Sequence, residues 1–406
     1  MTRQAEAQRE GDHHLRFNPD ALIAQACEIA GSDDFGEPAG WRDDLALLTD
    51  GLATEARLND LGVEIAVMDV VNPLVHRLRI MQWRKDNPAV AAAPVERPIF
   101  IVGQPRTGTT ILFDLLAKDP ALRPPLTWEV DAPWPLPQPG TYTSDPRIAQ
   151  IQANIEMSEQ LVPGLLAHHP MGALVGQECV RMSAGQFCSM IFSTQYRLPT
   201  YYRWLLHDAD HRNAYRYHRI FLQHLQSGVP GIGAPTQWLL KSPAHLWQLD
   251  ALVAEYPDAL IVQTHRDPLN VISSIAALTT HLRRLASDHS DITECARQSR
   301  EEIVVGLDNS MKARDSGALA AGQIVDVQFA DFIRDPFTTI RGIYDALDRE
   351  FTPVAEQRMR DHLAAHPGDN GGARYTWSNT GLDAEEVRAR VAGYQERFGV
   401  PTEALR

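Results

Sequence analysis

The chain of 406 residues has only four cysteines, Cys27, Cys179, Cys188 and Cys295, scattered without a C-x-x-C pair. That excludes a disulfide scaffold and a thiolate zinc ribbon. It has no excess of positive charge: 38 Lys and Arg against 52 Asp and Glu give a net charge of -14. A protein that coats nucleic acid needs the opposite balance, so any anion bound here must be held by a local basic pocket. No run approaches the roughly 18 apolar residues that make a transmembrane segment. The polar start Met1–Glu10 lacks the apolar core of a signal peptide, and a reducing, cytoplasmic setting is expected. Repeats and low-complexity tracts are also missing. What is present is a globular composition, 44% apolar and 22% charged. At about 150 residues per domain, the length suits two or three domains or one large α/β unit. Nothing in the sequence specifies an oligomeric state.

Three textures follow one another. Residues 1–92 read as a helical N-terminal extension. Asp20 stands as a candidate N-cap before Ala21–Ile29, and Gly31 as the stop. A second periodic stretch runs from Thr54 to Trp83, interrupted at Asn72-Pro73, and Asn87–Pro98 reads as a linker. From 93 to 406 the pattern changes. Ile99–Val102, Trp238–Leu240, Ala259–Val262 and Ile324–Val327 are short, largely apolar runs separated by helical patterns. Such runs suit strands of a parallel sheet with βαβ crossovers. The stretch 123–139 holds six prolines and reads as a stiff surface loop. A helical insertion is expected over about 145–228, and helices at 336–364 and 383–398. The expected fold class is thus α/β, a parallel sheet flanked by helices with N-terminal and inserted helical segments.

The sharpest motif is Gly103-Gln104-Pro105-Arg106-Thr107-Gly108-Thr109-Thr110, directly after the first strand and before the apolar helix Ile111–Leu116. Strand, glycine-bounded loop and helix aim backbone N–H groups and a helix start at a phosphate. The two glycines have Walker A spacing, but Thr109 stands where that loop has its lysine, and the cation is Arg106. Transfer of a γ-phosphoryl group needs that lysine and magnesium. A sulfuryl group carries less charge, so a metal is not obligatory. One cation such as Arg106 can then stabilise the leaving phosphate oxygen.

Downstream, Thr264-His265-Arg266-Asp267-Pro268 closes a strand, and Asp267 and Pro268 suit a helix start. Ser274 lies eight residues beyond Arg266, about two helical turns along. Both elements together resemble the sulfotransferases that use 3′-phosphoadenosine 5′-phosphosulfate (PAPS), in their bacterial-type branch. Pro105-Arg106-Thr107-Gly108-Thr109-Thr110 matches the 5′-phosphosulfate loop and Thr264–Pro268 the 3′-phosphate site. Leu122–Pro125, Trp128-Glu129, Leu240–Leu246, Tyr256–Ala259, Arg374-Tyr375 and Gly381-Leu382 add to the resemblance. It covers roughly residues 97–400 and implies a P-loop-like fold and release of adenosine 3′,5′-bisphosphate. It implies that Arg106 contacts the sulfuryl-bridging oxygen, that Thr107, Gly108, Thr109 and Thr110 hold the 5′-phosphate, and that Arg266 and Ser274 hold the 3′-phosphate. Lys241 is expected on the donor side. Many members close over the 3′-phosphate with Arg-Lys-Gly; here Asn370–Arg374 is the nearest match, with Arg374 but no adjacent lysine.

The acceptor's hydroxyl needs a base. Glu129, beside Trp128 and near Trp134 in the proline-rich segment, is the favoured candidate, at the place where carboxylate-using members have theirs. His245, after Lys241-Ser242-Pro243, is the second, with packing against the sheet as its ordinary alternative. Glu178 is the third, and its ordinary alternative is an i, i+3 pair with Arg181. His207 and His211 are four apart, but Asp208 and Asp210 between them suit a solvated helix, so no metal is expected. Phe187, Phe192, Tyr196, Tyr201, Tyr202 and Trp204 suit either the lining of an apolar, lipid-like small-molecule acceptor or a helical core. The rival readings are a P-loop nucleotide kinase or NTPase, and a non-catalytic nucleotide-binding protein.

Overall fold

The computed structural model describes residues 13–138, 140–168, 170–228, 237–366 and 376–405. Five parallel strands, β1 (Ile99–Gly103), β2 (Leu122–Arg123), β3 (Gln237–Lys241), β4 (Leu260–His265) and β5 (Ile324–Gln328), form one sheet. Their order is β2-β3-β1-β4-β5. All five residues of β1 are buried, as a strand covered on both faces requires.

Alternation along the strands splits the core into two layers. Phe100, Val102, Trp238, Leu240 and Ile261 point into the layer under helix Arg212–Ser227. Ile99, Ile101, Leu239 and Val262 point into the layer that holds Leu112, Phe113 and Leu116 of helix Thr109–Leu116. Leu112 is 0% exposed, so Leu112→Ala costs about 2–5 kcal/mol and loosens the helix that carries the loop.

The N-terminal residues join the fold through packing. Leu45, Leu48, Val70 and Leu74 share one apolar cluster with Phe187, Phe192, Tyr201 and Leu205 of the inserted segment. Arg77 is 0% exposed and donates to the carbonyls of Phe35, Pro38 and Gly185. Phe187, Phe192, Tyr196, Tyr201 and Tyr202 are buried there, and the partly buried Trp204 packs against them, so these aromatics form helical core.

Several expectations change. Asn18, not Asp20, caps the first helix, because its side chain reaches Ala21 N at 3.0 Å. Asn72-Pro73 lies inside one continuous helix, Asp60–Asp86, where tertiary packing outweighs the lost proline N–H. The linker contains a short helix, Pro88–Ala92. The proline-rich stretch is not all surface: Arg123 belongs to an edge strand, and Thr127–Asp131 is a helix in which Trp128 is 0% exposed.

Candidate active site

β1 and β4 are neighbours, yet the chain leaves β1 toward β2 at one edge and β4 toward β5 at the other. Their carboxyl ends form a topological switch point, where the departing loops open a crevice. The loop 103–108 and Arg266 both stand at this crevice.

The loop's shape is set by three backbone positions. Gly103 pairs in register with Thr264 and has φ 144°; a Cβ there would lie 2.2 Å from Thr264 Oγ1. Only glycine lets the two chains run that close. Arg106 (φ 64°) and Gly108 (φ 84°) are left-handed, a curvature that gathers N–H groups into a concave nest. Thr107 Oγ1 donates to the Gln104 carbonyl (2.6 Å) and lies 2.5 Å from Thr264 Oγ1. Helix Thr109–Leu116 starts there, adding its unpaired first-turn N–H groups. Arg266 Nη1 donates to the Arg106 carbonyl at 2.9 Å, tying the two loops together.

Lys241 ends β3, in register with Ile101. Its side chain is 4% exposed and forms an ion pair with Glu178 Oε1 at 3.0 Å, while Nζ donates to Thr110 Oγ1, also at 3.0 Å. A cation and a carboxylate thus meet at the start of the loop's helix. Glu178 does not pair with Arg181, which turns to Asp131 (3.1 Å). The reason is local: Glu178 is the N-cap of helix Cys179–Ser183 with extended backbone, so the i, i+3 geometry of a helix face does not apply to it.

Glu129 is 3% exposed. Its carboxylate accepts from Leu126 N, Tyr142 OH and Arg123 Nη2, each at 2.9 Å. Arg123 lies over the Trp238 ring at 4.3 Å. Trp238 and Lys241 are three residues apart on β3 and point to opposite faces; Lys241 lies over Phe113 of the loop's helix. Glu129 is thus held in a buried ion pair with Arg123, beside Trp238. His245 is buried in the turn after β3, with Nδ1 2.8 Å from Tyr215 OH and its ring edge-on to Phe100. Burial holds it well below the usual imidazole pKa, so it stays neutral.

Arg266 reaches the loop but is also held from the far end of the chain. Its Nε and Nη2 donate to the two carboxylate oxygens of Glu403, both at 2.8 Å, and its guanidinium lies over Phe329. Sequence reasoning missed Glu403, which lies 137 positions from Arg266 and in no motif. Ser274 is buried on helix Pro268–Arg283. Asn370–Arg374, and with it Arg374, lies outside the described residues. His207 turns to Glu301 and His211 to the Leu205 carbonyl, so the two do not converge.

An anion-cradling loop at the switch point of a parallel sheet defines a P-loop-like nucleotide-binding α/β protein. Residues 98–353 match the model of the Sulfotransferase family, and the chain belongs to that family. It is an enzyme, a PAPS-dependent sulfotransferase, as its loop motifs led us to expect. Sulfotransferase STF9 from Mycobacterium avium superposes with a TM-score of 0.84 at 29% identity, covering 95% of this chain and 97% of that one. STF1 from Mycobacterium tuberculosis H37Rv gives 0.79 at 32% identity, covering 92% and 98%. The omega-hydroxy-beta-dihydromenaquinone-9 sulfotransferase Stf3 of Mycobacterium bovis is 25% identical over 304 residues, 71% of each chain. Among the described residues no helix is long and apolar enough to cross a membrane.

Proposed function

We propose that loop 103–110 holds the donor's 5′-phosphosulfate through Arg106, Thr107, Gly108, Thr109 and Thr110, and that Arg266 and Ser274 receive its 3′-phosphate. We assign the general base to Glu178, with Glu129 and His245 in packing roles. The observation that carries this reading is the Lys241 ammonium, shared between Thr110 of the loop helix and Glu178. The loop fits an anion: the left-handed Arg106 and Gly108 turn its N–H groups inward, and a helix starts behind them. The buried Gln104 carboxamide, with no partner among the described residues, offers a further polar contact.

The donor supplies a sulfuryl group already activated on a phosphate. Arg106 and Lys241 then face the charge that builds on the departing phosphate oxygen. Glu178, held by Lys241, removes the acceptor's proton as its oxygen bonds to sulfur. Adenosine 3′,5′-bisphosphate leaves. Arg374 keeps, by the family pattern alone, a place near the 3′-phosphate.

For the acceptor we favour a hydroxylated, lipid-like small molecule. Stf3 carries such a substrate in its name. Helix Pro146–Leu161 has no fully buried residue: Ile148, Ile151 and Ile155 are half-buried, and Met157 and Leu161 exposed. An apolar surface left uncovered on this helix, which packs against Thr127–Asp131, suits such an acceptor. The unpaired cysteines are consistent with a reducing, cytoplasmic setting.

Adenosine 3′,5′-bisphosphate without magnesium is expected to raise Tm by several degrees, since at about 100 times Kd a ligand adds roughly 2.7 kcal/mol. Stabilisation by ATP with magnesium, and none by the bisphosphate, refutes the donor assignment. Labelled donor that never marks any long-chain alcohol or hydroxylated isoprenoid refutes the acceptor class.

A further inference from the structure

The arginine assigned to the donor's 3′-phosphate already holds an anion. Glu403 grips the fork of Arg266 with both oxygens at 2.8 Å, the bidentate geometry that a phosphate also adopts. The pair is only partly shielded, 15% exposed on the arginine and 28% on the glutamate. The surrounding tail is docked at the same helix start. Glu403 N donates to Asp267 Oδ2 (2.7 Å), and Asn270 Nδ2 donates to Glu403 Oε2 (3.2 Å) and to the Ala404 carbonyl (3.0 Å). Arg388 reaches both Asp267 Oδ2 (3.2 Å) and Thr402 Oγ1 (3.3 Å).

We propose that residues 402–405 form part of the donor site, with Glu403 acting as an internal counter-ion that the donor's 3′-phosphate displaces from Arg266. This rests on the assignment of Arg266 to the 3′-phosphate. A phosphate carrying close to two charges is the stronger partner for a guanidinium, and Glu403 swings out toward water. Nη1 stays on the Arg106 carbonyl, so the exchange leaves the link between the loops intact. The tail thereby sets donor affinity: the donor binds only the fraction of molecules in which Arg266 is released, and its apparent Kd rises in proportion. The contact also selects ligands, since a nucleotide without a 3′-phosphate gains nothing from displacing the carboxylate.

Calorimetric titration of the full chain with adenosine 3′,5′-bisphosphate and with adenosine 5′-phosphate tests this. Glu403→Gln is expected to tighten the bisphosphate by about fivefold or more and to leave adenosine 5′-phosphate unchanged. A chain ending at Pro401 is expected to do the same, which guards against a glutamine that keeps the old contact. Equal or weaker bisphosphate binding in both variants, with the wild type binding well, overturns the counter-ion role while the donor site stands. Failure of all three proteins to bind the bisphosphate overturns the donor assignment itself. Equal tightening of both nucleotides shows that the tail blocks the crevice without acting through the 3′-phosphate, and refutes the proposal.

Discussion

Glu178→Gln separates the two carboxylates that compete for the base. Glutamine keeps an oxygen that accepts from Lys241 Nζ but cannot take a proton. Loss of a general base lowers turnover by about 10²–10⁴, equivalent to roughly 3–5 kcal/mol of barrier. Lys241 is 4% exposed and loses its counter-charge, so the folding cost is about 2–3 kcal/mol, limited by the hydrogen bond that glutamine keeps. Glu129→Gln has the opposite signature. Glu129 and Arg123 are 3% and 10% exposed, and breaking such a buried pair costs about 3–5 kcal/mol, while the Lys241–Glu178 pair keeps both its charges. The assay is release of adenosine 3′,5′-bisphosphate, in transfer to an acceptor alcohol or in slow transfer to water, alongside Tm. Glu178→Gln should lose turnover even in its folded fraction, and Glu129→Gln should lose Tm while its folded fraction turns over. Full turnover in Glu178→Gln, with Glu129→Gln folded and inactive, refutes the argument and returns the base to Glu129.

Two further outcomes follow from other positions. Gly103→Ala places a Cβ against Thr264 Oγ1 at a positive φ, and a loss of about 2–4 kcal/mol by chemical denaturation, with weaker bisphosphate binding, is expected; an unchanged midpoint contradicts the close approach of β1 and β4. Burial raises the Glu302 pKa from 4.5 to about 7, against the hydrogen bond from Gln298 and the field of Arg283. The folded protein therefore binds more protons than the unfolded chain between those values, and this group's effect on stability becomes unfavourable as pH rises through them. Glu302→Gln should match wild type near pH 4 and exceed it by about 1–3 kcal/mol above pH 7; a pH-independent difference refutes this.

The loop, its strand and its helix were legible because their signals are local. The apolar run 99–102, two glycines at fixed spacing and the apolar helix after them lie within eighteen residues of sequence. The neighbourhood of Arg266 with the loop was implied by motif resemblance, since no local pattern brings residues 106 and 266 together, and the order of the sheet came only from the structure. Which carboxylate pairs with Lys241 could not be read. Glu129 looked catalytic because it follows the loop and sits among tryptophans, yet those features also describe a carboxylate buried in an ion pair. Glu178 looked like half of a helical pair because spacing assumes a helix, and the helix starts one residue after it.

The sequence by itself determined the class of chemistry: a phosphate loop with an arginine in place of the Walker lysine is written in a dozen consecutive residues, and backbone geometry follows from glycine there whatever surrounds it. Only the tertiary structure decided which charges face one another. Lys241 meets Glu178 across 63 positions and Arg266 meets Glu403 across 137. Such pairings depend on which face of a strand or turn each side chain leaves, and a single step of register exchanges them.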